Sequence, residues 1–221
     1  MYHAILFDLD DTLYDFRAFW TQRLDRGLAA VLAQHPELER ATLMRAAMDS
    51  WVFTEKMADF LRQQGVCDEE LIGRACADYE HGWFDDLTLP EEAAQTLRAL
   101  HGRYRLGLIT NGPAHSQRPK IERFGLAEQM DVLVVSGEVG VAKPDPRIFE
   151  IALERLGVRP ADALFVGDSP EHDIRGATAA GVDVVWLNRH GGQLPADLPA
   201  PKATIARLAD LLPLLQEPHL C

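Results

Sequence analysis

The chain has 221 residues, 47% of them hydrophobic and 25% charged, with 22 Lys and Arg against 34 Asp and Glu and a formal net charge of −12. This is the composition of an ordinary globular protein, long enough for one domain plus an insertion. The excess of acid disfavours a nucleic-acid polymer or an anionic membrane surface as partner, because both are held by basic patches. A small anion remains open if cations gather locally. No stretch approaches the ~20 apolar residues that cross a bilayer. Asp8 interrupts the only N-terminal apolar run, so no signal peptide is expected. Cys67, Cys76 and Cys221 show no CxxC spacing and no histidine at ligand distance, which predicts free thiols in a reducing cytoplasm rather than a disulfide or zinc site.

In chain order, Ala4-Ile-Leu-Phe7 is a short apolar run without turn residues and reads as a buried strand. It stops at three carboxylates, Asp8, Asp10 and Asp11, followed by Thr12. Alternation of side chains predicts that Asp8 and Asp10 leave the strand on one side. The pattern then turns helical. Apolar residues at helical spacing predict helices over Phe19 to His35, over Leu38 to Gln64 and from Asp68 onward, with Gly65 and Gly82 as stops. Strand and helix alternate from Pro90. Strands are expected at Arg105 to Thr110, Asp131 to Val135, Ala163 to Val166 and Asp183 to Leu187. Helices are expected from Pro90, from His115 to Phe124, from Asp145-Pro146 to Gly157, from Ser169-Pro170 toward Gly181, and over Ile205 to Leu215. Pro195 to Lys202 reads as a connector. Such alternation predicts an α/β fold, a doubly wound parallel sheet covered on both faces. The domains expected are a core of residues 1–14 and 89–221 and an inserted helical cap of residues 15–88.

The reactive residue types follow the strands. Asp8, Asp10, Asp11 and Thr12 follow the first. Thr110-Asn111-Gly112 end the second. Lys143 lies in the loop after the third, and Asp168-Ser169, with Asp173, follow the fourth. Carboxyl ends of parallel strands share one edge, so these groups can converge there. Carboxylates gathered at such an edge repel one another unless a cation joins them. Asp8, Asp10 and Asp168 can supply oxygen ligands to Mg²⁺, which takes few protein ligands and keeps waters. Lys143 and the backbone at Asn111 can hold a phosphate. One carboxylate can attack phosphorus while a second protonates the leaving oxygen and then activates water.

On these residues the chain resembles the haloacid dehalogenase-like hydrolase superfamily, most of whose members are phosphatases. Asp8-Leu-Asp10-Asp-Thr12 matches its DxDxT signature. Thr110, Lys143 and Gly167-Asp168 with Asp173 match its other three motifs in order. The resemblance implies that Asp8 forms an aspartyl-phosphate and that Asp10 is the general acid/base, its backbone carbonyl also binding Mg²⁺. It implies that Thr110 and Lys143 hold the transferred group and that Asp168 is a metal ligand. Asp173 would bind the metal through water or orient Lys143. The helical insert would be the family's cap, opening for substrate and closing over it. A dehalogenase of this family expels halide without a proton and lacks the acid two residues after the nucleophile. Asp10 therefore favours phosphate esters, with a small phosphorylated metabolite such as a nucleoside monophosphate or sugar phosphate as substrate. Asp-Asp-Thr-Leu-Tyr14, Thr110-Asn-Gly with Gln117 and Lys120, and Trp186-Leu-Asn-Arg189 are similar to the branch with pyrimidine 5′-nucleotidases and acylneuraminate phosphatases.

Several residues have plainer readings. Asp11 reads as a solvent-facing turn residue, and Ser169 and Asp145 as helix caps. His115 and His172 read as exposed helix positions. Trp20, Trp51, Phe53, Trp83 and Phe84 read mainly as the core of the helical block. Arg17, Lys56, Arg118 and Lys120 read as solvated charges. The rival functions are a phosphomutase of the same superfamily, a non-enzymatic phospho-receiver module and a relative that binds without turnover. Monomer and homodimer both remain open.

Overall fold

The computed structural model describes residues 2–85 and 87–216. The chain divides into two compact units, residues 1–15 with 88–221, and Phe16–Leu87. Among the described residues no helix is long and apolar enough to cross a membrane.

Strand β1 (Ala4–Phe7) leads into the helical unit of α1 (Phe16–Gln34), α2 (Arg40–Asp49), α3 (Thr54–Gln63) and α4 (Glu69–Glu80). The chain then returns through α5 (Glu91–Leu100), β2 (Arg105–Thr110), α6 (Ala114–Arg123), β3 (Val132–Val135), the single-turn α7 (Ser136–Val139), α8 (Arg147–Leu156) and β4 (Ala163–Gly167). A π turn at Pro170–Ile174 opens α9 (Arg175–Ala179), and β5 (Asp183–Leu187), β6 (Ala203–Ile205) and α10 (Leu211–Leu214) follow. The six strands form one sheet in the order β3-β2-β1-β4-β5-β6. Every pairing is parallel. The predicted doubly wound parallel sheet is therefore present, with β1 at its centre.

All four residues of β1 are fully buried, as a strand covered on both faces requires. Alternation turns Ala4 and Leu6 into a core shared with Ile148, Phe149 and Leu153 of α8, and Ile5 and Phe7 to the opposite face. Gly107 of β2 sits against Leu6, where a Cβ would collide with that side chain and with Val132. β6 lies between the expected connector and the expected helix, overlapping the helix at Ile205. Three residues carry too weak a pattern to read as a strand, and its pairing to β5 defines it. The helix expected over Ile205 to Leu215 is accordingly shorter.

In the helical unit, α1 packs on α4. Gly27 faces Tyr79, whose Cβ would lie 2.8 Å from a Cβ at position 27, so glycine sets the close approach of the two helices. The helix expected over Leu38 to Gln64 is two helices, α2 and α3. They are broken at Trp51, whose φ of +50° no helix accommodates. Trp51 is 60% exposed and stacks on Trp20, which also stacks on Phe53. Trp20 is buried, while Phe53 and Trp83 pack against the same core. Cys67 and Cys76 are free thiols, and Cys221 lies outside the described residues.

Arg23 of α1 is buried, although charged residues are rarely so. Its Nε and Nη2 donate to the Tyr79 carbonyl at 3.2 and 2.7 Å, and the same guanidinium donates to the His81 carbonyl. These carbonyls end α4, where helical backbone acceptors lack partners and a cation meets the negative end of the helix dipole. Arg23→Met retains the bulk and removes these donors. It is expected to destabilise the helical unit by about 1–3 kcal/mol, the cost of leaving buried acceptors unpaired, read as a lowered urea midpoint.

Candidate active site

The site forms where the carboxyl ends of β1, β2 and β4 meet. β1 ends at Phe7, and Asp8 still donates its backbone N–H to the Val166 carbonyl of β4 at 2.9 Å. The Asp8 carboxylate lies 2.7 Å from Lys143 Nζ, which lies 2.7 Å from Asp173. Asp173 is fully buried and also accepts the Ser169 N–H at 2.9 Å. Gly167 makes room for it, since a Cβ there would overlap the Asp173 carboxylate. Asp8, Asp168 and Asp173 can each place one oxygen within 4.8 Å of the others.

Three acids share one lysine here, and electrostatics records the imbalance. Burial, outweighing Lys143 and reinforced by Asp173, raises Asp8 to about 7. Burial, then Asp8, Asp173 and Asp11, raises Asp168 to about 8. Burial alone would lower Lys143, but Asp173 and Asp8 hold it above its ordinary value, so it stays an ammonium. Such a buried carboxylate cluster fits a hard divalent cation, which oxygen donors satisfy and whose charge removes the repulsion.

The backbone carries this cluster through polar clamps. Asn111 grips the Lys143 backbone from both sides. Its Nδ2 donates to the Lys143 carbonyl and its Oδ1 accepts the Lys143 N–H, both at 2.9 Å. The side chain of Asn111 thus places Lys143, where the sequence suggested only a phosphate contact at its backbone. Thr12 Oγ1 donates to Asp168 at 3.4 Å, and Trp186 Nε1 donates to the Asp168 carbonyl at 2.8 Å. Arg189 Nη2 donates to the Thr12 carbonyl at 2.8 Å, which ties the turn after β1 to the end of β5. Asp11 supplies that turn with a left-handed φ of +60°.

The turn corrects one expectation. Alternation places the Asp10 side chain on the same side of the strand as Asp8, with the resemblance giving its backbone carbonyl to the metal. β1 stops before Asp10, so strict alternation no longer holds, and its carboxylate turns to α6 instead. It accepts from Lys120 Nζ at 2.8 and 2.9 Å, Gln117 Nε2 at 2.9 Å and Tyr14 OH at 2.6 Å. The third acid of the cluster is Asp173. Lys120 is likewise not the solvated charge expected, being buried on the face of α6 that carries Gln117. Their i, i+3 spacing was the available signal. Thr110 is buried beside them, its Oγ1 accepting Gln117 Nε2 at 2.7 Å. Burial and Asp10 hold the Tyr14 hydroxyl far above its usual range, so it remains a donor. Ser169 caps its turn by accepting the His172 N–H, while His172 and His115 are exposed. Arg118 pairs with Glu138.

With this geometry in view, comparison with known proteins decides the family. A model of the haloacid dehalogenase-like hydrolases matches residues 2–181. The chain belongs to this family. It is 43% identical over 124 residues to the pyrimidine 5′-nucleotidase YjjG of Escherichia coli K12, a match covering 56% of this chain and about half, 55%, of the nucleotidase. It is 33% identical over 200 residues to a glyceraldehyde 3-phosphate phosphatase of Methanopyrus kandleri, covering 86% of this chain and 85% of the relative. A solved 2-haloacid dehalogenase from Pseudomonas syringae pv. Tomato DC3000 superposes with a TM-score of 0.66 at 29% identity, over 98% of this chain and 99% of that one.

The raised Asp168 gives this chain a signature in pH. A carboxyl raised in the folded state adds stability below its unfolded value of 3.8. It loses that contribution as pH rises toward about 8, because the folded protein then holds more protons than the unfolded chain. In EDTA the thermal midpoint is therefore expected to carry a component falling between about pH 4 and 8. Asp168→Asn should remove that component, and millimolar MgCl₂ should raise the midpoint most at the alkaline end.

Proposed function

We propose that this hydrolase is a Mg²⁺-dependent phosphomonoesterase acting on a small phosphorylated metabolite through an aspartyl-phosphate. The observation that carries the reading is the division of the acids. Asp8 sits with Lys143 and the cation cluster, while Asp10 is held apart by donors of its own. Phosphoryl transfer asks for this separation, a nucleophile among positive charge and an acid/base facing the ester oxygen. A dehalogenase has no use for the second group. The names of the nucleotidase and the glyceraldehyde 3-phosphate phosphatase support the same class, and a nucleoside monophosphate or sugar phosphate is the substrate proposed.

In this reading Asp8 and Asp168 hold Mg²⁺ together with the Asp10 carbonyl, and Asp173 supports the site by orienting Lys143. When bound, the ion neutralises charge on the phosphoryl oxygens and removes the repulsion among the acids. Asp8 attacks phosphorus, and Thr110 and Lys143 bind the transferred group. Asp10 gives a proton to the leaving oxygen and takes one from the water that hydrolyses the intermediate. The helical unit acts as the cap, and the protein works in the cytoplasm.

Asp8→Asn is expected to lower kcat on an aryl phosphate by at least about 10³-fold, since the group that forms the covalent bond is gone. EDTA should abolish turnover of the wild type, and added MgCl₂ should restore it. Unimpaired hydrolysis by Asp8→Asn would overturn the aspartyl-phosphate route. A screen of nucleotides, sugar phosphates, phosphoglycolate and acylneuraminate phosphate should single out the substrate class.

A further inference from the structure

The phosphatase reading assigns no role to Gln117 and Lys120, yet they are among the few buried polar side chains of the chain. Both project from α6 onto one carboxylate. Lys120 Nζ reaches both oxygens of Asp10, at 2.8 and 2.9 Å. Gln117 Nε2 lies 2.9 Å from Asp10 Oδ2, 2.7 Å from Thr110 Oγ1 and 2.7 Å from the Asn111 carbonyl. One amide nitrogen thus bridges the Thr110 hydroxyl and the Asp10 carboxylate, the groups to which the phosphatase reading gives the phosphoryl group and the proton.

The energetics do not explain this cluster as scaffolding. A buried ion pair is weak evidence for stability, since apolar residues of similar volume pack as well or better. Gln117 also carries a local cost, because its Oε1 is buried with no hydrogen-bond partner among the described residues. Exchanging the amide's oxygen and nitrogen would set that oxygen against Asp10 Oδ2 and the Asn111 carbonyl, both acceptors. The donor orientation is therefore the one that chemistry allows. Thr110 Oγ1 accepts from Gln117 and has a single proton of its own. Among the described residues it reaches the Asn111 carbonyl at 3.5 Å, a long and weak contact, so the proton is available to a phosphoryl oxygen.

We propose that Gln117 and Lys120 are positioning residues that hold the Asp10 carboxyl and the Thr110 hydroxyl in one frame, so that leaving-group protonation is aligned with phosphoryl transfer. The inference rests on the reading of Asp10 as general acid/base. In the step concerned, an Asp8 oxygen forms its bond to phosphorus and the ester P–O bond breaks, its electron pair going to the ester oxygen. That oxygen takes the proton of the Asp10 carboxyl, and the resulting carboxylate is received by Lys120, Tyr14 and Gln117. When water then attacks the aspartyl-phosphate, its proton returns to the same carboxylate.

The test compares kcat/KM for two esters in the full chain with MgCl₂ present. An alkyl phosphate needs a proton on its leaving oxygen, and a nitrophenyl phosphate does not. Lys120→Met and Gln117→Met are expected to lower kcat/KM on the alkyl ester by about 10²-fold or more, the contribution of general acid catalysis, and on the nitrophenyl ester by less than about tenfold. Lys120→Arg, which keeps a cation in reach, should recover at least about half of the alkyl-ester loss on a logarithmic scale. Equal losses on the two esters would show a merely structural role and overturn the proposal, as would no loss on either. Thermal melts establish folding. If Lys120→Met does not fold, Gln117→Met, which keeps the Lys120 to Asp10 pair, carries the comparison. A wild type without turnover on either ester would sink the phosphatase reading itself, whereas an active wild type with equal losses in the variants sinks only the positioning role.

Discussion

The site depends on one ammonium shared between two buried carboxylates. Lys143 Nζ stands 2.7 Å from both Asp8 and Asp173, and all three side chains are nearly or fully withdrawn from solvent. Removing Lys143 would leave two buried carboxylates without their counter-charge, which costs more than the intact group contributes. The surrounding structure serves this contact. Asn111 fixes the backbone that carries Lys143, Gly167 leaves space for Asp173, and β1 and β4 pair side by side so that Asp8 arrives beside them.

Lys143 does not balance the acids around it. Asp168 enters the same space with no ammonium of its own, and its carboxyl and that of Asp8 are both raised. The cluster is thus short of positive charge, a donor set that fits a divalent cation. Asp10 escapes this competition because the turn at Asp11 delivers it to a second cation, Lys120. Two carboxylates two residues apart thereby acquire different surroundings, one beside Lys143 and the other beside Lys120.

Much of this was legible in the amino-acid order. Four acid-, threonine- or lysine-bearing strand ends and the parallel alternation bring the reactive types to one edge by topology alone, and the chain could not fold as it does without converging them. The helical insert was legible for the same reason, as a block with 3.6-residue periodicity between two strands. Other features were not. The break at Trp51 depends on a left-handed residue that no propensity would place there. β6 has three residues and takes its identity from its neighbour. Arg23, which no motif in the sequence marks out, is the cap of another helix.

By itself, then, the sequence determined five strands of the sheet, the order of their reactive ends and the residue types those ends carry, because strand pattern and side-chain type are local properties. Tertiary structure alone decided which acid meets which cation. The alternation rule paired Asp10 with Asp8, but the strand ends one residue before Asp8, and beyond it the backbone follows a turn whose direction is set by hydrogen bonds to distant residues such as Arg189. The burial of Lys120 and Gln117 likewise depends on where α6 packs. A lysine on a helix becomes a buried partner only when the fold puts a carboxylate over it, and no pattern along the chain records that contact.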